Sequence, residues 1–297
     1  MPPSLPVFIV GCGDIGCRLA RRLQSQGMPV AALARSPLRA QALEAAGITP
    51  YSGDLDDAAP PLSLPEGIDT LYYLAPPPPS GSGDPRMVHA LEALKSPPNR
   101  LVYISTSGVY GDCDGNWIDE TAPLNPKTDR GLRRLEAERL VRDYAARTGC
   151  EALVLRVPGI YGDGRLPKAR IQQGLPVIDP LEAPFSNRIH ADDLAEACLK
   201  ARTHGRSGQA YNISDGNPTT MTDYFWQVAD HLGLPRPPAI PLVEARKVLT
   251  PAMLSFLEES KRLDNRKMRD ELGVVLRYPT LQEGLKAISH SITPSAR

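Results

Sequence analysis

A four-residue apolar run, VFIV at residues 7–10, stops at glycines and is followed by apolar residues at helical spacing, Ile15, Leu19 and Leu23. The spacing predicts a strand, a tight turn and a helix. The turn is GCGDIG, Gly11 to Gly16. In such a turn the first glycine permits the bend, the second lets backbone approach a pyrophosphate, and the third lets the helix pack close to its strand. The phosphates then meet the positive end of the helix. A G-x-G-x-x-G pattern alone says little, but between a strand and an amphipathic helix at the head of a βαβ unit it points to a dinucleotide. Gly11, Gly13, Asp14, Ile15 and Gly16 are the expected contacts.

The same grammar continues. PVAALA (29–34) reads as a strand, Pro37 to Ala46 as a helix with Ser36 as N-cap, and ITPYSG as a short strand ended by Gly53. TLYYLA (70–75) and RLVYIST (100–106) read as strands around a helix near 85–95, and EALVLRV (151–157) as another strand. This alternation predicts an α/β fold, a Rossmann-type doubly wound parallel sheet. After Val157 the segments at 158–188 and from 217 onward turn proline-rich and irregular. Between them HADDLAEACLKAR (190–202) reads as a helix with Asp192 or Asp193 as N-cap, and QAYNIS (209–214) as a strand.

The expected division is a dinucleotide-binding domain over 1–157 plus about 188–216, a small discontinuous C-terminal substrate lobe over about 158–187 plus 217–292, and a tail at 293–297. RLDNRKMRDELG (262–273) reads as a solvated helix covering that lobe, and the aromatics of DYFWQVADHLG (223–233) as core. PPPPSGSGDP (76–85), directly after a strand end, is either a solvated connection or a lid at the sheet's carboxyl edge.

Composition removes several classes of function. With Lys+Arg 34 against Asp+Glu 34 there is no global basic field for nucleic acid or an anionic membrane, so a small-molecule substrate is the expected partner. Five scattered cysteines, with no CxxC pair and no clustered histidines, argue against a disulfide framework and a metal site. The N-terminus lacks a basic region ahead of its short apolar run, and no later run is long enough to span a bilayer, which suggests a soluble cytoplasmic protein. At the end of the second strand an NAD-selective protein would place an acidic residue against the ribose 2′-hydroxyl; here AALARSP supplies Arg35 and Ser36. Arginine suits a 2′-phosphate, so NADP(H) is favoured over NAD(H).

Four later motifs, STSGVYGD (105–112), LRVPGIYGDGR (155–165), RIHADDLAEA (188–197) and YNISDGNPTTMTD (211–223), resemble in order and spacing the extended short-chain dehydrogenase/reductase family, the NAD(P)-dependent epimerases and dehydratases. The resemblance runs from Val7 to about Leu285. It implies a Rossmann domain with a small substrate lobe, often a nucleotide-sugar substrate, and a possible homodimer. It also implies that Asp54, in SGDL, meets the adenine amine, with Leu55, Leu74 and Ala75 beside the cofactor. Pro158 and Gly159 would face the nicotinamide carboxamide, Arg188 and Tyr161 would meet the substrate, and Thr106 would hydrogen-bond the substrate oxygen.

The family's catalytic YxxxK, extended to YxxxKxxxE, falls on Arg130, Arg134 and Glu138 in TDRGLRRLEAER (128–139). Arg134 could still hold ribose hydroxyls. Arg130 cannot be a general acid, because a guanidinium stays protonated, and is left to polarise a carbonyl or grip a carboxylate or phosphate. Tyr110, Asp112 and Tyr161 are then candidates to move the proton, Tyr110 first. Ser107 and Gly108 stand where dehydratases carry their acid and base, which argues against dehydration. The expected function is an NADP(H)-binding oxidoreductase acting on a small or nucleotide-linked substrate; the alternatives are a non-catalytic NADP(H)-sensing regulatory or scaffold protein and a nucleotide-sugar epimerase.

Overall fold

The protein is described here from a computed structural model, over residues 7–57, 62–249, 254 and 259–288. The expected tail at 293–297 lies outside the described residues. Seven strands form the main sheet: β1 (Val7–Val10), β2 (Val30–Ala34), β3 (Thr49–Ser52), β4 (Thr70–Tyr73), β5 (Arg100–Thr106), β7 (Glu151–Val157) and β12 (Ala210–Asn212). Their order is β12-β7-β5-β4-β1-β2-β3, and every pairing is parallel. The chain runs outward from β1 through β2 to β3, then crosses to β4 and runs the other way. At that switch point the loops leaving β1 and β4 diverge and open a crevice at the strands' carboxyl ends, where ligands of open α/β sheets bind.

Alternation of side chains explains why the apolar runs are continuous. Val7 and Ile9 enter one core layer with Tyr72, Val102, Leu153 and Leu155, while Phe8 and Val10 enter the other with Leu71, Tyr73, Leu101 and Tyr103. The first layer is covered by α1 (Asp14–Ser25) and α6 (Ala191–Ala201), through Leu19, Leu23, Leu194 and Cys198. The second is covered by α3 (Pro85–Glu92) and α4 (Asp129–Thr148), through Met87, Ala137 and Val141. On the first side, α2 (Pro37–Ala45) starts at Ser36, whose side chain accepts from the Arg39 backbone N–H at 3.3 Å.

The remaining strands are short pairs: β6 (Trp117–Ile118) with β15 (Arg262–Leu263), β8 (Gly159–Tyr161) with β11 (Arg188–His190), β9 (Val177–Ile178) with β14 (Ala239–Ile240), and β10 (Phe185–Ser186) with β13 (Thr219–Thr220). β6 and β15 pack Ile118 and Leu263 against Val109 and Tyr110, and α8 spans Leu242–Val248. Residues of β8, β9, α5 (Lys168–Gln172) and α7 (Met221–Leu232) build a separate apolar cluster. Tyr224 and Phe225 of α7 lie in that cluster with Tyr161, Val228 and Leu285, so these aromatics are core as expected.

Two expectations are corrected. The N-cap of α6 is His190, whose Nδ1 accepts from the Asp192 backbone N–H at 3.2 Å. Asp192 instead pairs with Arg18 at 2.8 Å, and Asp193 accepts the backbone N–H groups of Arg277 and Tyr278 at 2.9 and 3.0 Å. Asp192 has a charged donor within reach, and both oxygens of Asp193 are already taken by two backbone N–H groups. The second correction concerns the helix Arg266–Leu272, which covers the main sheet and is not a solvated cover for the lobe. Met268 and Leu272, one helical turn apart, are fully buried against Leu153, Cys198 and Tyr211, and only the opposite face carries Arg266, Arg269 and Asp270 to solvent. Among the described residues no helix is long and apolar enough to cross a membrane.

Candidate functional site

At the switch point Gly11 adopts φ +89°, and a Cβ there would run into the backbone of Ala75 at the end of β4. Only glycine lets the two strands finish so close together. A Cβ at Gly13 would meet nothing within 4 Å, so the loop presents open backbone at the head of α1. The side chain of Ile15 is buried in the core, leaving its backbone for any ligand. Burial raises the Asp14 carboxyl, but Arg165 at 2.5 Å and Arg18 at 2.8 Å outweigh it and hold the group below the ordinary range. Its side chain is thus occupied by two arginines. Arg165 also ties the glycine loop to the loop after β8, a link no motif announced.

Beside the glycines lies a cavity of about 220 Å³ bounded by Gly11, Leu33, Arg35, Asp54, Leu55, Ala75 and Arg86, among others. Five expected cofactor contacts, Gly11, Arg35, Asp54, Leu55 and Ala75, come together here. Leu74 precedes the cavity and donates its N–H to Val10 at 2.8 Å, and the Ser36 hydroxyl serves as the α2 cap. Asp54 Oδ1 accepts the Asp56 backbone N–H at 3.0 Å. Sequence reasoning missed Arg86: its guanidinium grips Asp56 at 2.5 and 2.6 Å and donates to the Pro76 carbonyl at 3.0 Å, so it closes one wall.

The second part of the site is built where α4 meets β5. Thr128 caps α4, accepting the Gly131 N–H at 3.1 Å, and a Cβ at Gly131 would press on Pro126 and on the Gly108 carbonyl. The helix start therefore sits directly on the turn Ser107–Tyr110, and its arginines reach the strand ends. Arg134 donates to the Ile104 carbonyl at 2.9 Å and lies 3.4 Å from both the Ala75 carbonyl and the Tyr103 hydroxyl. Arg133 donates to the Gly81 carbonyl at 2.6 Å and pins the proline-rich 76–85 loop against α4.

Arg130 turns into a cavity of about 290 Å³ shared with Thr106, Ser107, Gly108, Pro158, Gly159, Asn187, Arg188, Glu259 and Lys261. Thr106, Arg130, Pro158 and Arg188, four of the residues singled out in the sequence, thus line one cavity. Burial pushes the Arg130 guanidinium down, with Glu259 opposing the shift. Arg188 is buried, donates to Ser186 Oγ at 2.8 Å, and stacks its guanidinium 3.7 Å from the centre of the Tyr224 ring. Its Nε has no hydrogen-bond partner, and burial pushes the group down.

Glu259 and Lys261 were missed, and only the fold could reveal them. Lys261 Nζ donates to Glu259 Oε2 at 2.7 Å, and Glu259 Oε1 is buried without a hydrogen-bond partner. Asn187 holds this segment in place, donating to the Lys261 carbonyl at 2.9 Å and accepting the Leu263 N–H at 2.8 Å. Among the described residues lining the cavity, the cations Arg130, Arg188 and Lys261 stand with the carboxylate of Glu259.

The proposed proton carriers from neighbouring loops do not line this cavity. Tyr110 is buried, donates to Asn212 Oδ1 at 2.8 Å, accepts from Arg156 Nη1 at 2.9 Å, and is pushed up by burial to about 12. The turn aims it back into the sheet. Tyr161 donates to the Thr280 carbonyl at 3.2 Å within the separate apolar cluster, and Asp112 accepts the Ser260 N–H at 2.7 Å.

Comparison with known proteins agrees with this geometry. Two curated proteins are similar over most of the chain: the 2-alkyl-3-oxoalkanoate reductase of Shewanella oneidensis, 26% identical over 295 residues (88% of this chain, 73% of that protein), and the 4-hydroxy-2-methyl-3-oxo-4-farnesyl-3,4-dihydroquinoline-1-oxide ketoreductase of Stigmatella aurantiaca, 26% identical over 322 residues (94% and 93%). Of three other curated relatives that it matches, the alignment spans only 37%, 48% and 34% of the length. Among solved structures, a functionally unknown conserved protein from Silicibacter pomeroyi DSS superposes with a TM-score of 0.78 at 31% identity, over 95% of this chain and 97% of that one. The profile of the NAD dependent epimerase/dehydratase family matches residues 7–214, from the first strand of the sheet to just past its last, and the chain belongs to that family.

Proposed function

We propose that this protein is an NADP(H)-dependent oxidoreductase that reduces the carbonyl of a small anionic substrate. One observation carries the reading: in the cavity beside Thr106 the buried Arg188 keeps its Nε without a hydrogen-bond partner. A carboxylate or phosphate on the substrate would supply that acceptor. The resemblance over most of the chain to two reductases, one named for an oxoalkanoate, supports a keto acid as the substrate class.

The residues present fit a nicotinamide dinucleotide. The open backbone at Gly13 and the N-terminus of α1 would take its pyrophosphate, and the apolar cavity by Ala75 and Asp54 its adenosine. Arg35 on the rim of that cavity favours a 2′-phosphate, hence NADP(H). Arg134, already hydrogen-bonded at the ends of β4 and β5, would keep donors for the nicotinamide ribose. When bound, the cofactor supplies hydride exchange with a carbonyl carbon.

This chain's own residues do the rest. Thr106 and Arg130 donate hydrogen bonds to the carbonyl oxygen and stabilise the charge that develops there. Arg188 fixes the anionic end of the substrate. Lys261 holds a proton at Nζ beside Glu259 and delivers it to the oxygen, the task that tyrosine performs where the YxxxK pattern is intact.

The test is NADPH oxidation with a panel of 2-oxo and 3-oxo acids, their neutral esters, and phosphorylated or nucleotide-linked carbonyl compounds. Turnover of the acids but not the esters, with Arg188→Met raising KM for the acids, is the expected result. NADPH binding without turnover of any carbonyl would replace the enzyme by a nucleotide sensor.

A further inference from the structure

The glycine loop carries an unusual side chain. Cys12 lies between Gly11 and Gly13, and Cys17 lies in the first turn of α1 on the same side. Their sulfurs are 4.0 Å apart. Arg39 reaches over from α2 and donates from Nη2 both to Cys17 Sγ, at 3.2 Å, and to the Cys12 carbonyl. A Cβ on Gly16 would stand 3.3 Å from Cys12 Sγ, so this glycine also leaves room for the thiol. Cys12 is buried, while Cys17 is only half-buried and reachable from solvent.

This is the arrangement of a reactive thiol and a resolving one. A thiolate at Cys17 is stabilised by the Cys12 S–H that donates to it and by the Arg39 guanidinium; together they bring Cys17 down to about 5, against the cost of burial. Cys12 moves in the opposite direction, since it donates to Cys17 and is buried. The remaining cysteines lack such a setting: burial pushes Cys113, Cys150 and Cys198 up.

We propose that Cys12 and Cys17 form a reversible thiol–disulfide pair that controls the glycine loop, with a hydroperoxide as oxidant. The Cys17 thiolate attacks the peroxide O–O bond, giving Cys17 sulfenic acid and an alkoxide or hydroxide that takes a proton from water. The Cys12 thiol then attacks the sulfenic sulfur, the S–S bond forms, the S–O bond breaks, and water leaves. Two electrons pass from the two sulfurs to the peroxide. A thiol restores the pair by exchange. A disulfide sulfur pair lies about 2 Å apart, so closure draws the sulfurs together by roughly another 2 Å. Cys12 is the link between Gly11, locked by its contact with Ala75, and Gly13, whose N–H is bonded to the Gly11 carbonyl at 2.8 Å. Closure also removes the anionic acceptor of Arg39. The loop therefore shifts where it would meet the pyrophosphate, and nucleotide binding weakens.

Formation of the bond stands on the geometry alone, while its effect on nucleotide rests on the proposed function. The experiment treats the full-length protein with hydrogen peroxide, reads mass by peptide mapping, and titrates NADPH into the oxidised and the thiol-reduced protein. Trypsin releases both cysteines on one peptide ending at Arg18. The expected result is loss of two hydrogens from that peptide, reversed by dithiothreitol and absent in Cys12→Ser and in Cys17→Ser. NADPH binding should fall about tenfold or more on oxidation, the scale of one lost charge-assisted hydrogen bond. Cys113→Ser should leave the peptide's behaviour unaltered. Addition of oxygens to Cys17 with no loss of hydrogens, or no change in the peptide, would overturn the pair. A disulfide with unchanged NADPH affinity would overturn control of the loop. Failure of the reduced protein to bind NADPH would sink the cofactor reading, and the peptide mass would still decide whether the pair exists.

Discussion

Glu138 and Arg156 form a forked ion pair inside the molecule, Arg156 Nη2 to Glu138 Oε2 at 2.9 Å and Nε to Oε1 at 3.1 Å, with Glu138 fully buried. Ser105 donates to the same carboxylate at 2.7 Å and Arg142 at 3.0 Å, while Arg156 passes on to the Tyr110 hydroxyl at 2.9 Å. The glutamate that completes the catalytic helix pattern in sequence is therefore the anchor joining α4 to β5 and β7, and it fixes the helix that carries Arg130 and Arg134. Removing one partner strands a buried charge, so Glu138→Ala should cost about 3–5 kcal/mol in urea unfolding. Replacing both partners by leucine should recover much of that loss. A single variant as stable as the wild type would refute the anchoring role.

Cofactor choice is tested at the adenosine cavity. Arg35→Asp should weaken NADPH by about 1.5–3 kcal/mol, the value of hydrogen bonds to a charged group, and NADH far less. Calorimetric titration of both nucleotides checks it. Equal losses would remove Arg35 from the 2′-phosphate.

Lys261→Met should lower kcat by about 10²- to 10⁴-fold, the usual contribution of a positioned proton donor. Steady-state kinetics on whichever keto acid the panel identifies gives the answer. An unchanged kcat would exclude Lys261 as the proton source.

His190 predicts a pH dependence of stability. Burial disfavours its charged form, with Asp192 opposing, and pushes it from 6.5 down to about 4. The unfolded chain takes up this proton near pH 6.5 and the folded chain only near pH 4, so between those values the unfolded state binds more protons. The contribution is complete above pH 6.5 and is lost as pH falls towards 4, amounting to roughly 3 kcal/mol. Protonation also abolishes the acceptor that caps α6. His190→Asn keeps a capping side chain, so the variant should lose less stability than the wild type between pH 7 and pH 4 by roughly that amount. Parallel pH curves for the two proteins would exclude the histidine.

Met268→Ala should destabilise by about 2–5 kcal/mol, as for a core methionine. A solvated helix would lose almost nothing, and denaturant unfolding separates the two.

The sequence by itself determined the sheet and its ligand-binding edge. VFIV ahead of GCGDIG, Ser36 ahead of its helix and the apolar runs at 100–106 and 151–157 are local patterns, set by side-chain period, caps and glycine conformations, and each lies where it was read. That Gly11, Arg35, Asp54, Leu55 and Ala75 gather around one cavity at the ends of β1–β4 was legible for the same reason: it follows from strand ends in a fixed order.

Only the tertiary structure decided what depends on residues far apart in the chain. Tyr110 looked available in its turn, yet Arg156 and Asn212, on two other strands, draw it into the interior. Glu259 and Lys261 carry no motif and enter the cavity because β15 pairs with β6 and Asn187 binds their segment. Charge made 262–273 look solvated, because the two residues its helix buries, Met268 and Leu272, are too few to show a face until a sheet is placed beneath them. The cysteines looked scattered because thiol reactivity depends on separation in space and on a neighbouring cation, and Arg39 reaches Cys17 only after α2 has folded back beside the glycine loop.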